Sequence, residues 1–303
     1  MILRRLLLPA AIALVATAAH AADVVDPKPL LNDVRVLSAD DMEGRLIGSP
    51  GGAKARAYLT ERLKGLGLPV TEQPFDTVMR DNRTVRGVNL IARVEGAERG
   101  GKVMVVSAHY DHLGVRNGEI YNGADDNASG VGAVLALASA LKAQRPKHTV
   151  ILALLDGEEG GLRGARAFVA TPPVPLSSIG LNVNFDMLSK NGKNELYVSG
   201  ASPQPYLRPT LEAVAKAAPV TMKLGHDTDA DGKDNNWTNQ SDHYAFAEKG
   251  VPWVYFGVED HPEYHKPSDD FATIPQDFYV RATRTVISAV RALDAAMDGF
   301  PAR

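Results

Sequence analysis

Cysteine is absent from the 303 residues. Disulfides, zinc–thiolate sites, thiol nucleophiles and a cysteine-borne lipid anchor are thereby excluded together. Any metal must be held by His, Asp or Glu. An excess of either charge is also lacking, since 33 Lys and Arg stand against 36 Asp and Glu for a net −3. The basic footprint of a nucleic-acid binder is missing, and no nucleic-acid partner is expected. No internal repeat, heptad pattern or low-complexity tract occurs, and no Pro/Gly-rich linker follows residue 50. Neither a G-x-S-x-G elbow nor an H-E-x-x-H pair is present. What remains, 45% hydrophobic and 23% charged, is the balance of an ordinary folded chain.

The first residues read as an address. Arg4 and Arg5 precede an apolar run from Leu6 to Ala19, interrupted by Pro9 and ending in Ala19-His20-Ala21. The run falls short of the ~20 residues a bilayer span needs, whereas a secretory leader has this form. Residues 1–21 are therefore expected to be a signal peptide and 22–303 a single domain. The product is expected in a periplasm or the medium, with no stable membrane association after cleavage.

Along the remainder, Asp26-Pro27 and Ser49-Pro50 each give an N-cap followed by Pro at the first helical position. Strands are expected over 70–78, 85–94, 103–107, 149–155, 179–185, 195–199 and 253–256. Helices are expected over 128–142, 162–169, 206–217 and 278–297. The 149–155 run is continuously apolar, as a strand buried on both faces should be. This alternation predicts a doubly wound, mixed but mostly parallel sheet with helices on both faces, its early strands forming an antiparallel edge. Residues 225–239, rich in Asp, Asn and Gly, resist assignment.

Ligands of open α/β sheets bind beyond the carboxyl ends of the strands. There the sequence sets His109-Tyr110-Asp111-His112, then Asp156-Gly157-Glu158-Glu159, then Asp186, then the loop from Glu259 to His265. A further loop, Asn122 to Gly130, carries Asp125 and Asp126 into a helix. Burying such acids together is costly unless cations neutralise them. Carboxylates and imidazoles without thiolate suit zinc, with manganese or cobalt as alternatives. Two ions sharing one carboxylate would activate a water between them. Of the adjacent Glu158 and Glu159, one can bind metal while the other accepts the water's proton, its pKa raised by apolar surroundings.

Five segments then carry a resemblance: HisTyrAspHis at 109–112, GlyAlaAspAspAsnAlaSerGly at 123–130, GlyGluGluGlyGlyLeuArgGly at 157–164, AspMet at 186–187 and TyrHis at 264–265. In that order they resemble the co-catalytic zinc aminopeptidases, metallopeptidase family twenty-eight. AspMetGluGlyArg at 41–45 and GlySerProGly at 48–51 extend the likeness toward bacterial members. The resemblance implies an exopeptidase acting on peptide substrates with two zinc ions. It implies Asp126 as the bridging ligand, His109 and Asp186 completing one ion's set, and Glu159 and His265 the other's. It further implies Glu158 as general base, Asp111 as the acid that orients His109, and Tyr264 as a donor to the oxyanion. A cis peptide after the bridging acid, here Asp126-Asn127, often accompanies the family.

Rival assignments remain to be separated by structure. His112 competes with His109, His261 with His265, and Asp125 with Asp126. Ser241-Asp242-His243 cannot form a triad from consecutive residues and reads as a helix start with a supporting role. Asp227, Asp229 and Asp231 before Gly232 resemble the start of a calcium loop, but Thr238 stands where the bidentate Glu belongs, so calcium is not expected. A glutaminyl cyclase, an acyltransferase with one zinc on a similar fold, is the alternative. The AspAspAsnAlaSerGly loop at 125–130 favours the peptidases.

Overall fold

The computed structural model describes residues 25–79, 82–98, 100–232 and 235–301. The expected leader lies outside them. Among the described residues ten strands are formed: β1 (Val70–Val78), β2 (Thr84–Val94), β3 (Val103–His109), β4 (Gly114–Arg116), β5 (Glu119–Tyr121), β6 (Thr149–Leu155), β7 (Ile179–Phe185), β8 (Glu195–Ser199), β9 (Thr221–Leu224) and β10 (Trp253–Gly257). Seven α-helices accompany them: α1 (Pro27–Leu37), α2 (Pro50–Gly65), α3 (Gly130–Ala143), α4 (Arg163–Ala170), α5 (Arg208–Ala217), α6 (His243–Ala247) and α7 (Gln276–Ala296).

Eight strands make one sheet in the order β1-β2-β6-β3-β7-β10-β8-β9, and β4 pairs with β5 in a separate hairpin. β3 runs parallel to both β6 and β7, and β10 parallel to β7. β1, β2 and β6 pair antiparallel, forming the expected antiparallel edge. The mixed, mostly parallel arrangement thus agrees with the reading from sequence.

Side-chain alternation explains why β6 is apolar throughout. Val150, Leu152 and Leu154 enter the larger core with α3 and α7, while Ile151, Ala153 and Leu155 enter a second core with α4 and α6. A strand sandwiched this way has no wet face. β3 divides likewise, Met104 and Val106 to one side and Val103 and Val105 to the other. The helix starts follow their caps: the Asp26 carboxylate accepts from Lys28 N, and Ser49 Oγ accepts from Gly52 N. Asp33 of α1, buried, takes a bidentate Arg62 at 2.6 and 2.8 Å and thereby ties α1 to α2.

Differences from the sequence reading are short elements. The hairpin β4–β5 and strand β9 were not expected, and the described part of 225–239 includes the single turns Asp229–Asp231 and Trp237–Asn239. Helix α3 begins at Gly130 rather than at 128, because residues 124–129 form a kinked turn with non-helical Asp126 and Asn127. No helix among the described residues is long and apolar enough to cross a membrane.

Candidate metal centre

The parallel strands β3, β6, β7 and β10 end on one edge of the sheet, and each delivers a polar group there. His109 is the last residue of β3, while Asp186 directly follows β7. Glu158 and Glu159 follow β6 after Gly157, whose φ of +77° makes the turn out of the strand. His265 sits in the loop after β10. Asp126 arrives from the 122–129 turn, where a Cβ on Gly123 (φ +56°) would meet the Asp126 carbonyl oxygen at 2.1 Å. The Asp126–Asn127 peptide is cis.

The distances converge on Asp126. His109 Nε2 lies 3.4 Å from Asp126 Oδ1 and 3.2 Å from Asp186 Oδ1. The other Asp126 oxygen lies 3.0 Å from His265 Nε2, and His265 Nε2 is 3.3 Å from Glu159 Oε2. His112 Nδ1 is 2.7 Å from Glu159 Oε1 and 3.8 Å from Asp126 Oδ2. His109, Asp126 and Asp186 therefore form one group with ligand atoms within 4.8 Å of each other, and His112, Asp126 and Glu159 a second. Sequence reasoning left His112 as a rival of His109. The structure brings it instead to the opposite side of Asp126.

This arrangement fits a cation. His109 Nδ1 lies 3.2 Å from the Asp111 carbonyl oxygen, so that a proton on Nδ1 leaves Nε2, beside two carboxylates, free to bind a cation. Acceptors gathered around one point need a proton or a metal between them. Burial would lower the His109 pKa, yet Asp186 and the bonds to Asp111 and Asp126 hold it well above its usual value. The Asp126 carboxyl, despite burial that would raise it, is held far below the usual range by His112, His109 and His265. Asp111 Oδ2 is buried without a hydrogen-bond partner. Nitrogen and oxygen donors with no sulfur suit zinc, manganese or cobalt.

The remaining predicted residues lie around this group. The Asp111 side chain is 3.6 Å from His109 Nδ1, farther than its own carbonyl, and its Oδ1 accepts the Glu158 backbone N–H at 3.0 Å. Its carboxylate thus braces the Glu158 turn as well as facing the imidazole. Burial, reinforced by Asp186, Asp242 and Glu159, pushes the Glu158 carboxyl well above its usual range. Tyr264 stacks on the His265 ring at 3.9 Å.

The rivals are occupied elsewhere. The Asp125 carboxylate accepts from Ser129 Oγ, Ser189 N, Ser189 Oγ and Lys190 N, and His261 Nε2 lies 3.1 Å from its Oδ2. Asp227 accepts from the backbone of Gly200 and Ser202, and Asp229 from Asn236. Ser241 Oγ donates to Asp186 Oδ2 at 2.6 Å just ahead of α6.

Supports that sequence reasoning missed lie beneath the donors. Asp269 accepts from the backbone N–H groups of Asp125 and Asp126 and sits 2.9 Å from Lys190 Nζ. Arg45, fully buried, donates to the carbonyls of Tyr110, Leu37, Asn122 and Gly123 at 2.6–2.9 Å. Burial lowers its pKa to about 10 while Asp126 and Asp111 oppose the fall. Its segment, 41–45, was visible as a motif. Its role as a clamp between the two ligand-bearing loops was not.

Comparison with known proteins gives the family and the fold. The chain is 26% identical over 296 residues to leucine aminopeptidase 2 of Trichophyton rubrum, covering 87% of this chain and 58% of the relative. It is 26% identical over 223 residues to a probable zinc metalloprotease of Pyrenophora tritici-repentis, covering 62% and 44%. The chain thus spans about half the length of the curated relatives it matches. Its fold is that of a zinc aminopeptidase from Bacillus subtilis (TM-score 0.74, 17% identity, 88% of this chain and 95% of that one). It is also that of the Porphyromonas gingivalis glutaminyl cyclase (0.73, 19%, 88% and 98%). The sequence model of Peptidase family M28 matches residues 89–290, a span that contains every predicted donor, and the chain belongs to that family.

Proposed function

We propose that the chain is a zinc-dependent aminopeptidase, exported by its leader to a periplasm or the medium, that releases N-terminal residues from peptides. The observation that carries this reading is the two-sided Asp126 carboxylate, with Oδ1 3.4 Å from His109 and Oδ2 3.0 Å from His265. One carboxylate presenting each oxygen to a different donor set is what a pair of bridged ions requires. His109, Asp126 and Asp186 would hold one zinc; Asp126, Glu159 and His265 the other, with His112 a further donor to the second.

When bound, the ions polarise the scissile carbonyl and lower the pKa of a water. Glu158 takes the proton of the attacking water, and its raised pKa suits it to hold that proton until the leaving amine needs it. The Asp111 carboxylate, accepting the Glu158 N–H, fixes the turn that carries this base. The Tyr264 hydroxyl, on a ring braced against His265, donates to the oxyanion.

The purified protein is expected to hold two zinc ions per chain and to hydrolyse aminoacyl-p-nitroanilides but not N-blocked peptides. A chelator should abolish the activity and zinc restore it. Glu158→Ala should keep both ions while turnover drops by about 10²–10⁴-fold. Metal lost from that variant would make Glu158 a ligand. A single zinc with cyclisation of N-terminal glutamine would replace the reading with a glutaminyl cyclase-like acyltransferase.

A further inference from the structure

A cavity of about 230 Å³ adjoins the metal centre, bounded by Asp111 and Glu159 on the centre's side. Leu46 and Ile47 give it an apolar wall, and Arg116 and Arg163 give it two cations. Each guanidinium is anchored through Nε on a backbone carbonyl, Arg116 to Leu113 at 3.2 Å and Arg163 to Gly160 at 3.0 Å. Arg116 also lies 5.6 Å from the Tyr121 ring centroid, a cation–π contact that holds it on its hairpin. Neither forms an ion pair with a carboxylate among the described residues, whereas Arg62, Arg93, Arg166 and Arg281 each do.

The position of Arg163 adds a second observation. It is the first residue of α4, a helix of 8 residues with no acid in its first turn. A cation there adds to the positive end of the helix dipole rather than opposing it. A locally unfavourable residue with no compensating partner in the fold is expected where function demands it. Two anchored guanidiniums lining one cavity make an anion seat, and guanidinium geometry matches a carboxylate.

The geometry points to a subsite in which Arg116 and Arg163 bind a carboxylate of the substrate peptide, selecting peptides that carry this carboxylate over their amide counterparts. This rests on the aminopeptidase reading. The carboxylate has two sources, the α-carboxylate of a dipeptide or the side chain of an Asp or Glu near the scissile bond, and two substrate pairs separate them. Leu-Gly against Leu-Gly-amide tests the first; Leu-Glu-amide against Leu-Gln-amide tests the second.

In at least one pair the acid should be preferred about 10-fold in kcat/KM, carried by KM rather than kcat, as a charge-assisted contact predicts. That ratio should shrink in Arg163→Gln and in Arg116→Gln, approach unity in the double variant, and be partly kept by the Lys replacements. The same peptides titrated calorimetrically into zinc-loaded Glu158→Gln protein give the ratio as affinities, so the subsite is read even where no peptide is hydrolysed. Failure of hydrolysis with the affinity ratio intact would count against the enzyme reading alone. Ratios near unity in both pairs, or a preference that survives the double arginine replacement, would overturn the subsite.

Discussion

Strand β6 carries an acid–imidazole cluster at each of its ends. Before its first residue stands His148, buried between Asp294 Oδ1 at 3.0 Å and Asp298 Oδ1 at 2.9 Å. After its last residue come Glu158 and Glu159 with the donors around Asp126. By spacing alone the two look alike, since Glu98, His148 and Asp298 also offer ligand atoms within 4.8 Å of each other. Their polar groups are satisfied very differently. At the start of β6, Asp294 accepts the backbone N–H groups of Lys147 and His148 at 2.7 and 2.9 Å, and Lys147 Nζ reaches Asp298. That cluster is a clamp between β6 and α7, complete in protein atoms. At the other end, buried oxygens of Asp111 and Asp242 have no hydrogen-bond partner, and burial beside other acids pushes the Asp242 carboxyl up to about 8. A metal site is marked by unmet charge more than by residue types within reach.

Matched replacements at the two ends can break this contrast. The largest effect is expected from Asp126→Asn, which removes the shared carboxylate. Zinc content should fall at both positions, with turnover lower by about 10²–10³-fold or more. Asp298→Asn should leave the zinc content as it was. Elemental analysis of both variants decides it, and equal zinc loss from the two would erase the distinction.

A smaller effect is expected from the cation at each end. Arg45→Met strands four carbonyls and a buried site shaped for a guanidinium, so urea unfolding should show a loss of about 3 kcal/mol. Lys147→Met removes a largely solvated pair and should leave the urea midpoint nearly unchanged. A similar loss at both ends would mean that Arg45 contributes no more than a surface cation.

The smallest effect lies in acid. The bond from Lys147 and then that of His148 lower the Asp298 pKa to about 2. A carboxylate depressed on folding stabilises above its unfolded value, near 4, and that stabilisation is lost as pH falls toward 2. Metal-free protein titrated from pH 4 to 2 should thus lose stability more steeply than its Asp298→Asn variant. Parallel curves would show that the clamp holds without this carboxylate.

The readable parts of the chain were those with a strong local cause. β6 and β7 are apolar because both faces are covered, so their bounds in sequence and structure coincide. β9 has four residues and the β4–β5 hairpin three in each strand, too few for a period to register. The described part of 225–239 is held by contacts rather than pattern, with His226 stacked on Trp237 at 3.9 Å and bonded to the Asn235 carbonyl. Lys190, and the supporting role of Asp269, carried no local signal, since their partners lie more than sixty residues away in the chain.

The sequence by itself determined the kinds of donor available, their location after strands and the two-faced sheet, because hydrophobic period and residue chemistry are local. It could not assign His112 to one side of Asp126 and His109 to the other, nor occupy Asp125 and His261 with each other. Those pairings depend on the order β6-β3-β7-β10, which differs from chain order. Crossovers through distant helices set which strand ends become neighbours, and the spacing of strands in the sheet then sets which donors meet.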